Sequence, residues 1–463
     1  MMRIQSGNGW VSRLLYGGDD ELMLHPRRKS MDGFLQQTMC NISYGILTGG
    51  IFLSGYLIWL GIPDRVLTLL SSAQMVCGFV PMLLAPWLDR KRRRRRLMIT
   101  ICIISRFFQL SIIGAPWLWP GIARPYAVAL SLFLGAAVAA VNDVVFNTWF
   151  AAVIPDPIKG RYYALRQRAG VIVSLLVSLL TSVVMDLFQE AQYSVFAVIY
   201  AVAFLVTVCE VRALSGVDDV ELEPGAEKVH FRDLVRVPAA HREFMRYMLL
   251  CGLLYLFWFL STSFDSIFQL KYLQMSYTYI NVTGLLRQLL QLMLFYKVWG
   301  LICDKIGNSF ALFCSIGFQV VNSILWATLS TNTMWIVYPV INILGAVGQT
   351  GFAMALFNRR YELIPEKGKV VYESFFSATI GIVVLIGPIL GGLLRDFLAK
   401  TPVMQIEFGN IRTVYLVSAF LITLLLLGYA RSLRDASEKN TVLNRENFRR
   451  CGALLVDLAL RRR

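Results

Sequence analysis

Charge is scarce in this chain, and that scarcity excludes most of what 463 residues could otherwise be. Charged residues make up 16% of the sequence and hydrophobic ones 56%. Soluble domains run near a quarter charged, so there is too little polar surface here for a protein dissolved in water. Histidine is almost missing. His25, His230 and His241 all fall outside the long apolar runs, which excludes a histidine proton relay within a membrane. No two of the eight cysteines form a C-x-x-C pair, and Cys40, Cys77, Cys102, Cys251, Cys303 and Cys314 lie inside apolar stretches. Neither disulfides nor a metal site is expected. There is no G-x-x-x-x-G-K-[ST] loop to cradle a nucleotide phosphate, which disfavours ATP-driven work. No clustered nucleophile and base marks an enzyme, and no cofactor is implied. The first long apolar run begins near Phe34, behind a polar segment with Arg27, Arg28 and Lys29, so no secretory signal peptide is visible.

What the chain does have is apolar runs, twelve of them. They lie near 38–61, 66–88, 97–119, 126–153, 167–188, 193–213, 246–270, 277–302, 308–330, 333–357, 372–394 and 411–430. Each is long enough for a helix to cross a bilayer, whereas a barrel strand needs only about ten alternating residues. The expected fold is an all-α membrane protein of twelve transmembrane helices. The net charge of +16 could suggest nucleic acid, but its placement does not. The basic residues cluster at Arg27–Lys29, Arg90–Arg96, Lys159–Arg168, Arg359–Lys369 and after Arg431, and the alternate loops carry few. By the positive-inside rule both termini are cytoplasmic, which requires an even number of spans. The organisation expected is a cytoplasmic segment (1–33), a six-helix half (34–213), a cytoplasmic linker (214–245), a second six-helix half (246–430) and a basic tail (431–463). In the tail, Phe448, Cys451, Leu454, Leu455 and Leu458 recur at helical spacing between arginines. That pattern suits an amphipathic helix on an anionic inner leaflet.

The two halves share residues in order. Leu134-Gly135-Ala136 recurs as Leu344-Gly345-Ala346, Phe146-Asn147 as Phe357-Asn358, Ile154-Pro155 as Ile364-Pro365, and Asp89 as Asp304. The offsets are all similar, so the fourth and tenth helices correspond. Two six-span halves in parallel repeat are an arrangement used by secondary transporters.

The loop Asp89-Arg90-Lys91-Arg92-Arg93-Arg94 resembles the G-x-x-x-D-R-x-G-R-R loop of the major facilitator superfamily, with Ala85 and Arg92 in place of the glycines. The second copy, Gly300-Leu301-Ile302-Cys303-Asp304-Lys305-Ile306-Gly307, keeps both glycines, and Ile154 to Tyr162 resembles the family's P-x-x-x-R-G-R loop. The resemblance covers nearly the whole chain and implies conformational gating by Asp89, Arg90, Arg161, Asp304 and Lys305. An aspartate at one helix end gains about 0.3–1 kcal/mol at the N-terminus of another helix. Such a contact can form in one rocking state and break in the other. The resemblance would direct Asp89 towards the eleventh helix and Asp304 towards the fifth. Gly387-Pro388-Ile389-Leu390-Gly391-Gly392 in the eleventh helix is similar to a family segment usually prominent in the fifth helix of antiporters. The fifth helix here lacks it, and Ser131 stands where many drug exporters carry an arginine. Both departures lower the drug-antiporter reading.

In the resembled fold, helices 1, 4, 7 and 10 line a central cavity. Helix 1 carries Gln37, Asn41, Tyr44 and Thr48, and helix 7 carries Trp258, Thr262, Asp265 and Gln269, each at steps of four, three and four. Helix 10 carries Asn342, Gly345 and Gln349, and helix 4 carries Asp143 and Asn147. Each set shares a helix face, and a polar stripe in lipid must meet protein or water. The alternative is interhelical hydrogen bonding. With Arg287 and Gln291 of helix 8, the substrate-binding candidates are Gln37, Asn41, Tyr44, Asn147, Trp258, Thr262, Gln269, Asn342 and Gln349. Four ionisable groups lie deep in the runs: Arg106, Asp143, Asp265 and Arg287. Such groups cost at least a few kcal/mol in a membrane. Matched depths pair Arg106 with Asp143 and Asp265 with Arg287. Each pair could neutralise itself. Alternatively, Arg287 anchors an anion while Asp143 or Asp265 carries a proton, since desolvation and a neighbouring arginine act oppositely on a carboxylate.

The function expected is secondary active transport of a small polar or anionic solute by alternating access, with protons the candidate coupling ion. A multidrug or metabolite efflux antiporter is the alternative, and a non-transporting receptor or scaffold is the reading from another class. The partners expected are a small solute and the lipid bilayer, without nucleic acid. The protein is expected to be a monomer in the plasma membrane.

Overall fold

A computed structural model describes residues 25–89, 93–119, 121, 123–221, 231–365, 369–402, 408–430 and 445–460. Among them every regular element is helical, with one isolated β-bridge between Arg93 and Glu221. Helix is the form that satisfies each backbone amide within its own segment, as hydrocarbon requires. In chain order the helices are α1 (Arg28–Trp59), α2 (64–89, interrupted), α3 (Arg95–Leu118), α4 (Ala123–Val153), α5 (Asp156–Leu187) and α6 (Gln192–Ser215). A short helix, Phe231–Ala240, precedes α7 (Arg242–Tyr272), α8 (Tyr277–Lys305), α9 (Asn308–Thr328), α10 (Met334–Leu363), α11 (Lys369–Leu398), α12 (Gly409–Ala430) and α13 (Arg445–Leu460).

Eleven of these helices are long and apolar enough to cross a membrane. The expected second span is not among them, because α2 is broken into Asp64–Ser71, Ala73–Val76, a 3₁₀ turn Cys77–Phe79, and Val80–Asp89. Pro81 is the local cause. It has no amide to bond the Cys77 carbonyl, and its ring crowds the preceding turn. The repeat shows in this irregularity too. Ahead of Asp304, at the corresponding place in α8, Gln291–Phe295 forms a π turn.

The chain forms two compact units. One comprises Met1–Val66 with Cys77–Lys228, and the other Leu67–Val76 with Val229–Arg463. The change of unit therefore falls near 228 in the chain and again inside α2, on both sides of Leu67–Val76.

In unit 1 the ring of Phe34 lies edge-on to Phe146, Trp149 and Phe150, with centroids 5.3–5.5 Å apart. Beyond α6 the segment Gly216–Glu221 folds back as a strap over the unit. Val217 is fully buried, with its Cγ2 2.6 Å from where a Cβ on Gly33 would stand. Ser30 Oγ donates to Asp218 Oδ2 at 2.6 Å, and Trp149 Nε1 donates to the Asp218 carbonyl at 3.0 Å. The Arg95 amide donates to Asp219 Oδ1 at 3.2 Å, and Arg93 pairs with Glu221 at 3.0 Å. The acidic start of the expected linker thus lies against residues of the basic loop.

In unit 2, Gly387 and Gly391 bring α11 against α7. A Cβ on Gly391 would stand 2.1 Å from the Leu260 carbonyl oxygen, closer than any side chain could be accommodated. This close approach of two backbones is the use that small residues have at membrane helix interfaces. Gly307, which ends the second Asp-containing loop, has φ +127, a region that glycine alone enters freely. The tail helix α13 docks on this unit. Phe448 meets Phe310 edge-on at 5.2 Å, and Cys451 and Leu454 pack on the core.

Candidate functional site

Unit 1 holds a buried ion pair. Arg106 on α3 and Glu210 on α6 stand 3.2 Å apart, with side chains 9% and 0% exposed. Gln37 Nε2 donates to Glu210 Oε1 at 3.1 Å, Arg106 Nη2 donates to Asn41 Oδ1, and the guanidinium lies 3.8 Å over the Tyr44 ring. The partner of Arg106 is therefore Glu210, and the expected pairing with Asp143 does not form. Asp143 is exposed on α4, one turn from the exposed Asn147. Equal depth on two helices does not make an ion pair, because rotation about the axis also counts, and among the described residues Arg106 bridges to Glu210. Glu210 lies near the end of the sixth apolar run, and α6 continues past it to Ser215 and carries it inside. Gln37, Asn41 and Tyr44 all contact this pair through the Gln37 Nε2, the Asn41 Oδ1 and the Tyr44 ring, while Gln37 Oε1 and the Tyr44 hydroxyl are buried without a hydrogen-bond partner among the described residues.

A second polar cluster lies in unit 2, where α7, α8, α10 and α12 meet. Two rungs join α7 to α10: Gln269 Nε2 donates to the Tyr338 hydroxyl at 3.1 Å, and Trp258 meets Phe352 edge-on at 5.5 Å. The residue numbers run in opposite senses, so the two helices are antiparallel along this strip. Between the rungs α7 supplies Thr262 and Asp265, and α10 supplies Asn342, Gly345 and Gln349. The seven steps from Gly345 to Phe352 span about 10 Å along a helix axis.

Tyr415 of α12 donates its hydroxyl to Asp265 Oδ1 at 2.6 Å. Tyr415 also stacks on Trp326 at 5.4 Å, which fixes the ring. Asp265 and Arg287 sense one another, but no ion pair joins them. Arg287 is half-buried, with its stem passing over Gly345, where an added Cβ would lie 3.9 Å from Cδ. Its guanidinium makes no hydrogen bond or ion pair among the described residues, and Nε is buried without a partner. One turn along α8, Gln291 opens the π turn, and Gln269 lies in a second π turn, Phe268–Tyr272. Such turns are frequent at functional sites. The half-buried amides of Gln291 and Gln349 have no hydrogen-bond partner among the described residues. Asn342 donates to the Tyr338 carbonyl of its own helix, and Thr262 likewise to Trp258.

Asp304 and Lys305 are exposed at the end of α8, and Arg161 is exposed on α5. Asp89 ends α2, but its side chain lies outside the described residues, as does Arg90. Sequence reasoning missed Tyr338 and Tyr415, whose positions in apolar helices gave no sign of their partners.

Residues 40–359 match the profile of the Major Facilitator Superfamily. The chain belongs to that superfamily. Its fold is similar to solved structures of superfamily transporters across nearly their whole length. An auto-inhibited POT family peptide transporter aligns at TM-score 0.65 and 14% identity, over 89% of this chain and 99% of that one. The nucleoside transporter NupG aligns at TM-score 0.58 and 16% identity, over 87% and 98%. A D-xylose-proton symporter aligns at TM-score 0.60 and 10% identity, over 88% and 98%. Among curated proteins, the class H tetracycline resistance protein of Pasteurella multocida is 31% identical over 109 residues, which is 24% of this chain and 26% of that protein. The chain thus spans about a quarter of the length of the curated relative it matches. As a superfamily member with eleven candidate spans it is a multi-pass membrane protein, in keeping with the expected plasma membrane.

Proposed function

We propose that this protein is a secondary active transporter that takes a small polar or anionic solute on the strip between α7, α8 and α10 and moves it by alternating access. The observation that carries this is the Arg287 guanidinium, half-buried and without a hydrogen bond or ion pair among the described residues, in a region where a buried charge is costly. A ligand anion would supply the missing partner. Asp265 is the proposed proton carrier. A tyrosine hydroxyl can donate to a carboxylate or accept from a carboxylic acid, so Tyr415 suits both protonation states. The twelfth crossing is assigned to the interrupted α2, which leaves both termini cytoplasmic. Gating is assigned to Asp89, Arg90, Arg161, Asp304 and Lys305, and Asp143 remains a second candidate for coupling. The transporter is proposed to act as a monomer. The test is uptake by Asp265→Asn and Arg287→Ala. Each is expected to abolish transport with expression intact, and near-normal transport in both would sink the assignment.

Efflux is the second reading, supported by the match to a tetracycline resistance protein. Flux into inverted vesicles, set against flux into right-side-out vesicles, separates the two directions.

A further inference from the structure

We infer that the solute is an organic monoanion with a flat apolar ring, its acid group on Arg287 and its ring against Trp258. This rests on the reading of the unit 2 strip as the solute site. Three features, in order along the strip, match three parts of such a molecule. At one end stands the Arg287 guanidinium, without a hydrogen bond or ion pair among the described residues, whose planar fork fits a carboxylate in two parallel hydrogen bonds. The neighbouring carboxylate, Asp265, is held by Tyr415, so it does not occupy that fork. It also sets the charge limit. A second negative group on the solute would face Asp265 with no further cation among the strip residues, so one negative charge is matched and two are not. In the middle, Gln291 and Gln349 each offer an amide without a hydrogen-bond partner among the described residues, able to donate and accept. At the far end the half-buried Trp258 and Tyr255 stand against buried Phe352, at 5.5 and 5.9 Å. Aromatic side chains of this kind supply apolar contact to a flat ring at defined geometry. The distance of about 10 Å from Gly345 to Phe352 accommodates an acid group, a short polar stretch and one or two fused rings.

The experiment is a thermal-shift titration of the full-length purified protein. The probes are 2-naphthoate, indole-3-acetate and benzoate. Acetate tests the head alone, and 2-naphthylmethylamine tests the ring with the opposite charge. A bound ligand raises the melting temperature by mass action. At least one aromatic anion is expected to shift it where acetate and the amine at equal concentration do not. Arg287→Gln should weaken that binding roughly 10- to 100-fold, the loss expected for a charge-assisted hydrogen-bonding pair. Trp258→Leu should weaken it too, and Arg287→Lys should restore part of it. The inference is overturned if none of the aromatic anions shifts the protein, if acetate or the amine matches them, or if the shift survives in Arg287→Gln. Failure of the underlying reading looks different. If a solute of another class binds and is lost in Asp265→Asn and Gln349→Ala, the strip is still the site and only the solute class falls. If no strip substitution affects any bound solute, both fall together.

Discussion

Replacing Glu210 by alanine should cost this protein more than any other single carboxylate change in unit 1. The side chain is wholly buried and holds Arg106, itself 9% exposed, at 3.2 Å. Removing one partner of a buried ion pair strands the other charge, at a cost of about 3–5 kcal/mol. The Gln37 amide also loses its acceptor, worth about 1 kcal/mol. Tyr44 beneath the guanidinium and Asn41 beside it remain, and they offset part of the loss, with a desolvated cation–π contact worth about 2 kcal/mol. The net expectation is destabilisation of roughly 2–4 kcal/mol. Removing both charges, as Arg106→Met with Glu210→Leu, should recover most of it, since apolar replacements of a buried pair are often neutral or better. Asp143→Ala, on an exposed side chain, should stay within about 0.5 kcal/mol of the parent. Denaturant unfolding in detergent, followed by size-exclusion monodispersity, reads all three. The reasoning fails if Glu210→Ala costs less than about 1 kcal/mol, or if the double variant is as unstable as the single one.

Other consequences follow from the same geometry. Gly391→Ala places a methyl against the Leu260 carbonyl and should cost about 1–3 kcal/mol through overpacking. Gly392→Ala, with open space around it, should be silent in the same denaturant unfolding assay. Val217→Asp buries an unpaired charge under the strap and should expose residues 216–221 to hydrogen exchange. Glu221→Gln removes only an exposed ion pair and should leave exchange there nearly unchanged. Tyr415→Phe removes the donor to Asp265 and should alter the pH profile of transport more than its maximal rate, while an unchanged profile would separate Tyr415 from coupling.

How far the sequence disclosed this molecule depends on which property each feature needed. Run length and composition were enough to identify the helices, because a bilayer leaves few other backbone solutions. They did not disclose that α2 is interrupted, although Gly78 and Pro81 stand where the helix breaks. Depth along a helix could be counted, so Arg106, Asp265 and Arg287 were recognised as interior charges. Rotation could not be counted, so Arg106 was paired with Asp143 when its partner is Glu210. Asp265 likewise takes Tyr415, 150 residues away, in preference to the arginine at its own depth. The stripe on helix 7 carries the two ends of the unit 2 strip, whereas the stripe on helix 1 contacts the Arg106–Glu210 pair. Periodicity alone treats the two alike. Only the neighbouring helices decide whether a polar face meets a partner or is left open.

The most direct test of the central claim is solute counterflow by the purified protein in liposomes, wild type beside Arg287→Ala. The account predicts that the wild type exchanges an organic anion across the bilayer and that Arg287→Ala does not, although it folds and inserts equally well. Equal counterflow by the two proteins would contradict it, as would a wild-type protein that binds such an anion and moves none.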